Sequence, residues 1–345
     1  MKLDAALPPI GLKDVPVIAK AAEEIGFDAL WTQETQHDPF LPCALIAEHT
    51  TRLNFGTAVA VSFARSPANI AYTAWDLAAQ SNGRFILGLG TQVKAHVERR
   101  FGQPWPESVT GKLREQILVM RAFWDCWQYG TKLNFRGEYY KITLMSPFFN
   151  PGPLPPGAGT LGRIPIYIAG VNTGLAKLAG ELCEGFHAHP FHSVRYLKEV
   201  MLPAIEEGAA KERRKLALSN AEGRKDIAVS ISAFIATTPE EMNFARAQIS
   251  FYASTPSYRP VMDLHGWSSV AEKLSAYAAK GEWMEMPMLI TDEMLNEFSV
   301  VTDEKNLASE LKKRYDGIAD RLTLYTPFVA GERDEWWKGL VNKVI

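Results

Sequence analysis

RLNFGTAVAVSFARSP (Arg52 to Pro67), ANIAYTAWDLAAQSN (Ala68 to Asn82) and GRFILGLGTQ (Gly83 to Gln92) follow one another without a break and read as strand, helix and strand. The outer two are short apolar runs bounded by Gly, Pro and Ser. In the middle one Ile70, Ala74, Leu77 and Ala78 recur at three and four residues, the spacing of one helix face. Ser66 stands where a helix takes its cap, and Pro67 falls at a first helical position that has no N–H bond to lose. The result is a βαβ unit, and parallel strands joined this way need a layer of helices over them.

The same alternation continues on both sides. Upstream, KLDAAL (Lys2 to Leu7) is a first strand stopped by Pro8 and Pro9, Leu12 to Gly26 a helix closed by glycine, and FDALWTQE (Phe27 to Glu34) a second strand. Pro39 and Pro42 predict that TQHDPFLP continues as a loop. The strand opened by Arg52 is then the third and GRFILGLGTQ the fourth.

Downstream, VKAHVERRFGQPWPESVT predicts a connection with a helical turn or two, Gly111 to Gln128 a long amphipathic helix, and FRGEYYKI a small hairpin. PFFNPGPLPPGAGTLGRIP reads as a long ordered loop. The fifth strand is Ile164 to Gly170, with a helix from Thr173 to Leu182. GFHAHPF is the sixth, with a helix from Val194 to Arg213, and DIAVSISAFIAT the seventh. A helix from Pro239 to Ala253 leads into an irregular stretch, Ser254 to Val301, with two or so helical pieces. Thr302 to Asp316 is a clean helix and RLTLYTP the eighth strand.

Eight such units predict one (β/α)8 TIM barrel over residues 1–345, with insertions after strands four and seven. The competing open doubly wound sheet lacks its GxGxxG signature after the first strand.

Composition narrows the partners. The chain has 37 basic and 39 acidic residues among 345, a net charge of -2, which argues against a nucleic-acid surface or a polybasic membrane anchor. No apolar run approaches a membrane span, and MKLDAALPPIGL lacks the apolar region of a secretory signal. The expectation is a cytoplasmic protein acting on a small molecule. Cys43, Cys126 and Cys183 are widely spaced, which predicts reduced core residues rather than a disulfide framework or a zinc site.

In a barrel of this kind chemistry sits at the C-terminal strand ends. The strand reading nominates Glu34, His37 and Asp38; Ala58 to Val61; Thr91, Gln92 and Lys94; Gly170 to Thr173; His189; and Tyr325 to Pro327. AGVNTG, Ala169 to Gly174, joins a strand end to a helix N-terminus, where unpaired N–H groups suit a phosphate; an ordinary cap by Asn172 or Thr173 is the alternative. Small residues at Ala58, Val59 and Ala60 would admit a flat ring against the backbone, although a buried strand explains them too. Lys94, His96, Arg99 and Arg100 form a basic stretch that suits either a solvated surface or an anionic ligand. His189 and His192 have metal-like spacing but no evident third ligand, so no metal is predicted.

LWTQETQHDPF, FGTAVAVSFARSP, GRFILGLGTQ and IPIYIAGVNTG, in this order and at these separations, resemble the bacterial luciferase-like superfamily. Within it they are most similar to the oxidoreductases that use the deazaflavin coenzyme F420. The resemblance implies a homodimer holding F420, with FMN as the alternative, at the mouth of the barrel. It implies a bulge in the third strand with a non-prolyl cis peptide at Ala58-Val59 or the next bond or two, beneath the cofactor ring. Thr91 and Gln92 after the fourth strand are further candidates for cofactor binding, and the resemblance places a phosphate on Gly170, Val171, Asn172 and Thr173.

Several F420 relatives carry an Asp-His pair after strand two and a Glu after strand four. This chain has Glu34-Thr35 and Gln92-Val93 there, which leaves Glu34 and His37 as candidates for moving the proton. The implied activity is hydride transfer between F420 and an alcohol, carbonyl or activated alkene. Flavin-dependent oxygenation with reduced FMN and a noncatalytic flavin-binding barrel are the alternatives.

Overall fold

Eight parallel strands close on themselves. They are β1 (Lys2–Ala6), β2 (Ala29–Thr32), β3 (Asn54–Thr57), β4 (Phe85–Gly90), β5 (Ile166–Gly170), β6 (Gly185–Ala188), β7 (Ala228–Ala236) and β8 (Arg321–Leu324). Each pairs with its sequence neighbour, and β8 returns to β1 with Leu3 opposite Leu322. This computed structural model describes residues 1–156, 163–212 and 227–344. Residues 157–162 of the proline-rich loop, Arg213 of the predicted sixth helix and Asp226 of the predicted seventh strand lie outside the described residues.

Alternation along the strands sorts the two sides of the barrel wall. Leu3, Leu30, Phe55, Phe85, Ile166, Phe186, Val229 and Leu322 join the core shared with the surrounding helices. The intervening residues turn inward, where Ala29, Trp31, Ile86 and Tyr167 form a second cluster and the His187 ring meets Trp31 at 4.9 Å. The inward-facing Arg321 donates to both oxygens of Asp4 at 2.8 Å, and Trp31 Nε1 donates to the same carboxylate at 2.9 Å. This buried pair bonds the last strand to the first.

The connections at the C-terminal ends of β4 and β7 are the long ones. Between β4 and β5 lie helices Lys94–Arg99 and Val109–Tyr129 and the hairpin Phe135–Arg136 with Lys141–Ile142. Between β7 and β8 lie helices Pro239–Ala253, Arg259–Leu264, Ser268–Lys280, Asp292–Phe298 and Leu307–Tyr315. A short strand, Ser299–Val301, adds to the upper part of β7 with Ser299 opposite Phe234. No helix among the described residues is long and apolar enough to cross a membrane.

Three local expectations need correction. Phe40–His49 is a helix, so the predicted loop ends at Pro39. Pro42 is tolerated because the first-turn N–H groups have no intrahelical partner, and Asp38 Oδ1 accepts the Phe40 amide at 2.8 Å. The stretch Ser254 to Val301 is mostly helical rather than irregular; the helix at Ser268–Lys280 was hidden by a weak apolar face, with Ala271 and Leu274 its only buried residues. The helix expected from Thr302 begins at Leu307, after a turn in which Asp303 Oδ1 accepts the Asn306 amide. All three cysteines are free and buried.

Candidate active site

At the top of β3 the chain gains a residue. Gly56 lies opposite Ile86, yet Ala60 lies opposite Leu89, so one extra residue is inserted between the two pairs. A Cβ on Gly88 would come within 1.7 Å of the Thr57 carbonyl oxygen, so only glycine allows this approach. Thr57 Oγ1 locks the contact, donating to the Gly88 carbonyl at 2.5 Å and accepting its amide at 3.0 Å. The Ala58-Val59 peptide is cis. Ala58 and Val59 remain partly open to solvent, whereas Ala60 and Val61 behind them are buried.

Glu34 stands beside this bulge but is already committed. Its Oε2 accepts the Val61 amide and the Arg65 guanidinium, each at 2.6 Å, and its side chain is 6% exposed. Arg65 also reaches the Val61 carbonyl at 3.2 Å and Asp38 Oδ2 at 2.9 Å. Burial pulls the Arg65 guanidinium down, but Glu34 and Asp38 outweigh it and raise its pKa. Glu34 therefore anchors the chain just past the β3 bulge. His37 is exposed in the same loop.

After β4, Thr91 is buried and Gln92 turns through a left-handed backbone (φ 61°) while its Oε1 accepts the Val93 amide at 3.0 Å. The Gln92 amide is thus used locally in shaping the turn. Of the basic stretch, Arg100 donates to the Thr35 carbonyl at 2.7 Å and so ties two mouth loops together. Lys94, His96 and Arg99 are exposed.

The loop after β5 offers the strongest anion-binding feature. Helix Thr173–Leu182 starts there without a side-chain cap, because Asn172 donates Nδ2 to the Ser257 carbonyl at 3.0 Å instead. The ordinary-cap reading of Asn172 therefore does not hold, and the helix end keeps its partial positive charge. Gly170, Asn172 and Thr173 are accessible, while Val171 is buried. A Cβ on Gly174 would sit 3.2 Å from Thr110 Cγ2, so the N-terminus of the Val109–Tyr129 helix lies alongside. Lys112 on that helix lies 4.9 Å over Phe63, just past the β3 bulge, and burial lowers its pKa. Sequence reading missed Thr110 and Lys112, although Ser108 as the cap of a helix starting at Val109 was a legible signal.

The part of the mouth beside the loop after β5 is aromatic, and the His189 amide donates to the Gly170 carbonyl at 3.4 Å. Tyr252 spans it, with its ring 4.7 Å from His189 after β6, 6.4 Å from Phe234 of β7 and 6.5 Å from Tyr325 after β8. Tyr258 covers His189 at 4.6 Å. Among the described residues no group of three His, Cys, Asp or Glu side chains is placed to share a metal ion.

A closed parallel barrel with this mouth defines a class, and the comparisons name it. The chain belongs to the luciferase-like monooxygenase family, whose profile matches residues 3–321. It is 41% identical over 329 residues to an uncharacterized protein of Mycobacterium tuberculosis, covering 93% of this chain and 92% of that one. It is 31% identical over 229 residues to the F420-dependent glucose-6-phosphate dehydrogenase of Rhodococcus hoagii, covering 62% and 64%. The coenzyme F420-dependent tetrahydromethanopterin reductase of Methanopyrus kandleri superposes with a TM-score of 0.76 at 19% identity, covering 99% and 98%.

Proposed function

We propose that this protein is an F420-dependent oxidoreductase that exchanges a hydride with a small alcohol, carbonyl or activated alkene. The observation that carries this reading is the pairing, in one half of the mouth, of an open bulge at Ala58 and Val59 with an uncapped helix end at Thr173. A flat ring needs the first, and an anionic tail needs the second. The F420-dependent dehydrogenase among the sequence relatives favours the deazaflavin over FMN.

In this reading Ala58, Val59 and Ala60 would support the ring, with Thr91 and Gln92 beside it. Gly170, Val171, Asn172 and Thr173 would hold the phosphate, with Thr110 and Lys112 close by. When bound, F420 supplies a ring carbon that gives or takes a hydride. The chain's own residues do the rest. Glu34 and Arg65 keep the bulge in shape, His37 is the solvent-exposed group available to pass a proton, and the aromatic part excludes water.

The test is turnover by purified protein, followed as oxidation or reduction of F420 with a panel of alcohols, ketones and enones. The expected result is F420-dependent conversion with no oxygen uptake. Oxygen consumption with reduced FMN and no reaction with F420 would establish the monooxygenase alternative instead.

A further inference from the structure

The outer wall of the barrel carries a hole and a knob, and the described residues fill neither the one nor cover the other. Helix Phe40–His49 is apolar on every face. Phe40, Cys43, Ile46 and Ala47 are buried, while Leu41 is 57% exposed, Ala44 is exposed and Leu45 is half-buried. Glu48 and His49, in the last turn, are its only hydrophilic residues. A helix that is apolar all round is one that is covered all round, so its outer face lacks a cover.

That face opens into the hole. Leu41, Ala44 and Leu45 form, with Leu12, Lys13 and Pro16 at the start of the neighbouring helix, a groove of about 470 Å³. Lys13 is the one charged residue of the lining. A cavity of about 150 Å³ holds a benzene ring, so the groove has room for two phenyl groups.

The knob stands further round the wall. Helix Phe40–His49 packs between Val15–Ile25 and Pro67–Gln80, and the segment from Leu144 to Gly152 lies against the last of these. Tyr72 O–H donates to the Phe149 carbonyl at 2.6 Å, Trp75 Nε1 donates to the Gly152 carbonyl at 3.2 Å, and Asn150 Oδ1 accepts the Gly152 amide at 2.9 Å. The backbone is thus fastened down. From it Phe148 and Phe149 project 88% and 61% exposed, their rings edge to face at 5.1 Å.

Hole and knob flank one strip, the outer faces of Phe40–His49 and Pro67–Gln80. A foreign partner would need only one complementary feature. A self-complementary surface has both, because a two-fold axis through the strip sets the knob of each copy against the hole of the other. The same axis brings Lys13 toward Asp76, which lies one helical turn beyond Tyr72. Both are exposed, and neither has an ion-pair partner among the described residues. Two convex barrel walls also diverge on either side of their line of contact, and projecting rings fill that gap.

We infer that this wall is the interface of a homodimer of this chain, in which Phe148 and Phe149 of each copy enter the groove lined by Leu12, Leu41 and Leu45 of the other. The inference is independent of which cofactor the mouth takes.

The test is the mass and cross-linking of the full-length chain in solution. Sedimentation should give a dimer. Phe148→Ser and Leu41→Asp, both at exposed positions, should each weaken it by about thirtyfold or more while leaving the circular dichroism unchanged. A second measurement locates the contact. Phe148→Cys protein is mixed with Ala44→Cys protein, left to exchange subunits and treated with a short bismaleimide; the three native cysteines are buried. The mixture should yield a cross-linked dimer, and either variant alone should not. A monomeric unaltered protein would overturn the proposal. So would a dimer that the mixture fails to cross-link, or a chain carrying both cysteines that cross-links only within itself.

Discussion

Glu34 and His189 illustrate how a side chain's partners, more than its type, decide its work. Both stand at strand ends and both can carry a proton. Glu34 has spent its carboxylate on the Val61 amide and Arg65, whereas His189 has spent Nδ1 and keeps Nε2–H. Replacing Glu34 with Gln keeps the volume and removes the charge from a nearly sealed pair. The expected cost is about 1–3 kcal/mol of unfolding free energy, read by urea denaturation, together with weaker cofactor binding. Undiminished stability and affinity would show that the clamp does not hold the bulge. The sequence placed Glu34, His37 and His189 at the mouth, because strand ends are legible from apolar runs. Which of them was free was not legible, since Arg65 and the Phe191 amide reach them only through the folded loops.

At the scale of elements, close backbone approach explains several glycines. Gly88 admits the Thr57 carbonyl, and Gly180 and Gly208 let the Thr173–Leu182 and Leu202–Lys211 helices touch through the Ile205 and Lys177 carbonyls. Gly88→Ala forces a backbone shift where β3 bulges, and should cost about 3 kcal/mol or more. Gly339→Ala is the matching control. It lies in helix Asp334–Val344 with nothing within 4 Å of the added methyl group, and should stabilise by about 0.5–1 kcal/mol. Equal effects at the two sites in thermal denaturation would contradict the packing account. The bulge shows where reading by pattern stops. FGTAVAV has Thr57 as its one polar side chain, and its one-residue slip against β4 is set by pairing rather than by periodicity. The resemblance to a family, not the hydrophobic period, located it.

For the molecule as a whole, the barrel closes through Arg321 and Asp4, residues that sequence reading passed over because a buried charge has no apolar signature. Burial alone would lower the Arg321 pKa, but Asp4 and Asp28 outweigh it and raise it. Asp4→Ala leaves that buried guanidinium with Asp28 as its remaining carboxylate partner and should cost about 1.5–3 kcal/mol in urea denaturation. Two buried histidines, His187 and His192, and the half-buried His189 shape the response to acid. Burial holds His187 near 3 and His192 near 4, and His189 is pushed to about 3, all against an ordinary value of 6.5. Below that ordinary value the unfolded chain takes up protons that the folded chain refuses. Stability should therefore fall as pH drops from 6.5, by up to about 1.4 kcal/mol per pH unit for each histidine, and level off below their folded values. A melting temperature that is flat from pH 6.5 to 5, above the range where ordinary carboxylates titrate, would contradict neutral burial.

The order of strands and the closure of the barrel were legible because each βαβ unit announces itself locally. The content of the mouth was only half legible, because its two sides are completed by the long segments after β4 and β7, whose positions depend on tertiary contacts. The central claim is that this mouth is shaped for F420. It is tested most directly by equilibrium titration of the purified protein with F420 and, separately, with FMN, followed by cofactor fluorescence. The account predicts saturable F420 binding at one per chain, tighter than any binding of FMN. Saturable FMN binding with no detectable F420 binding would contradict it.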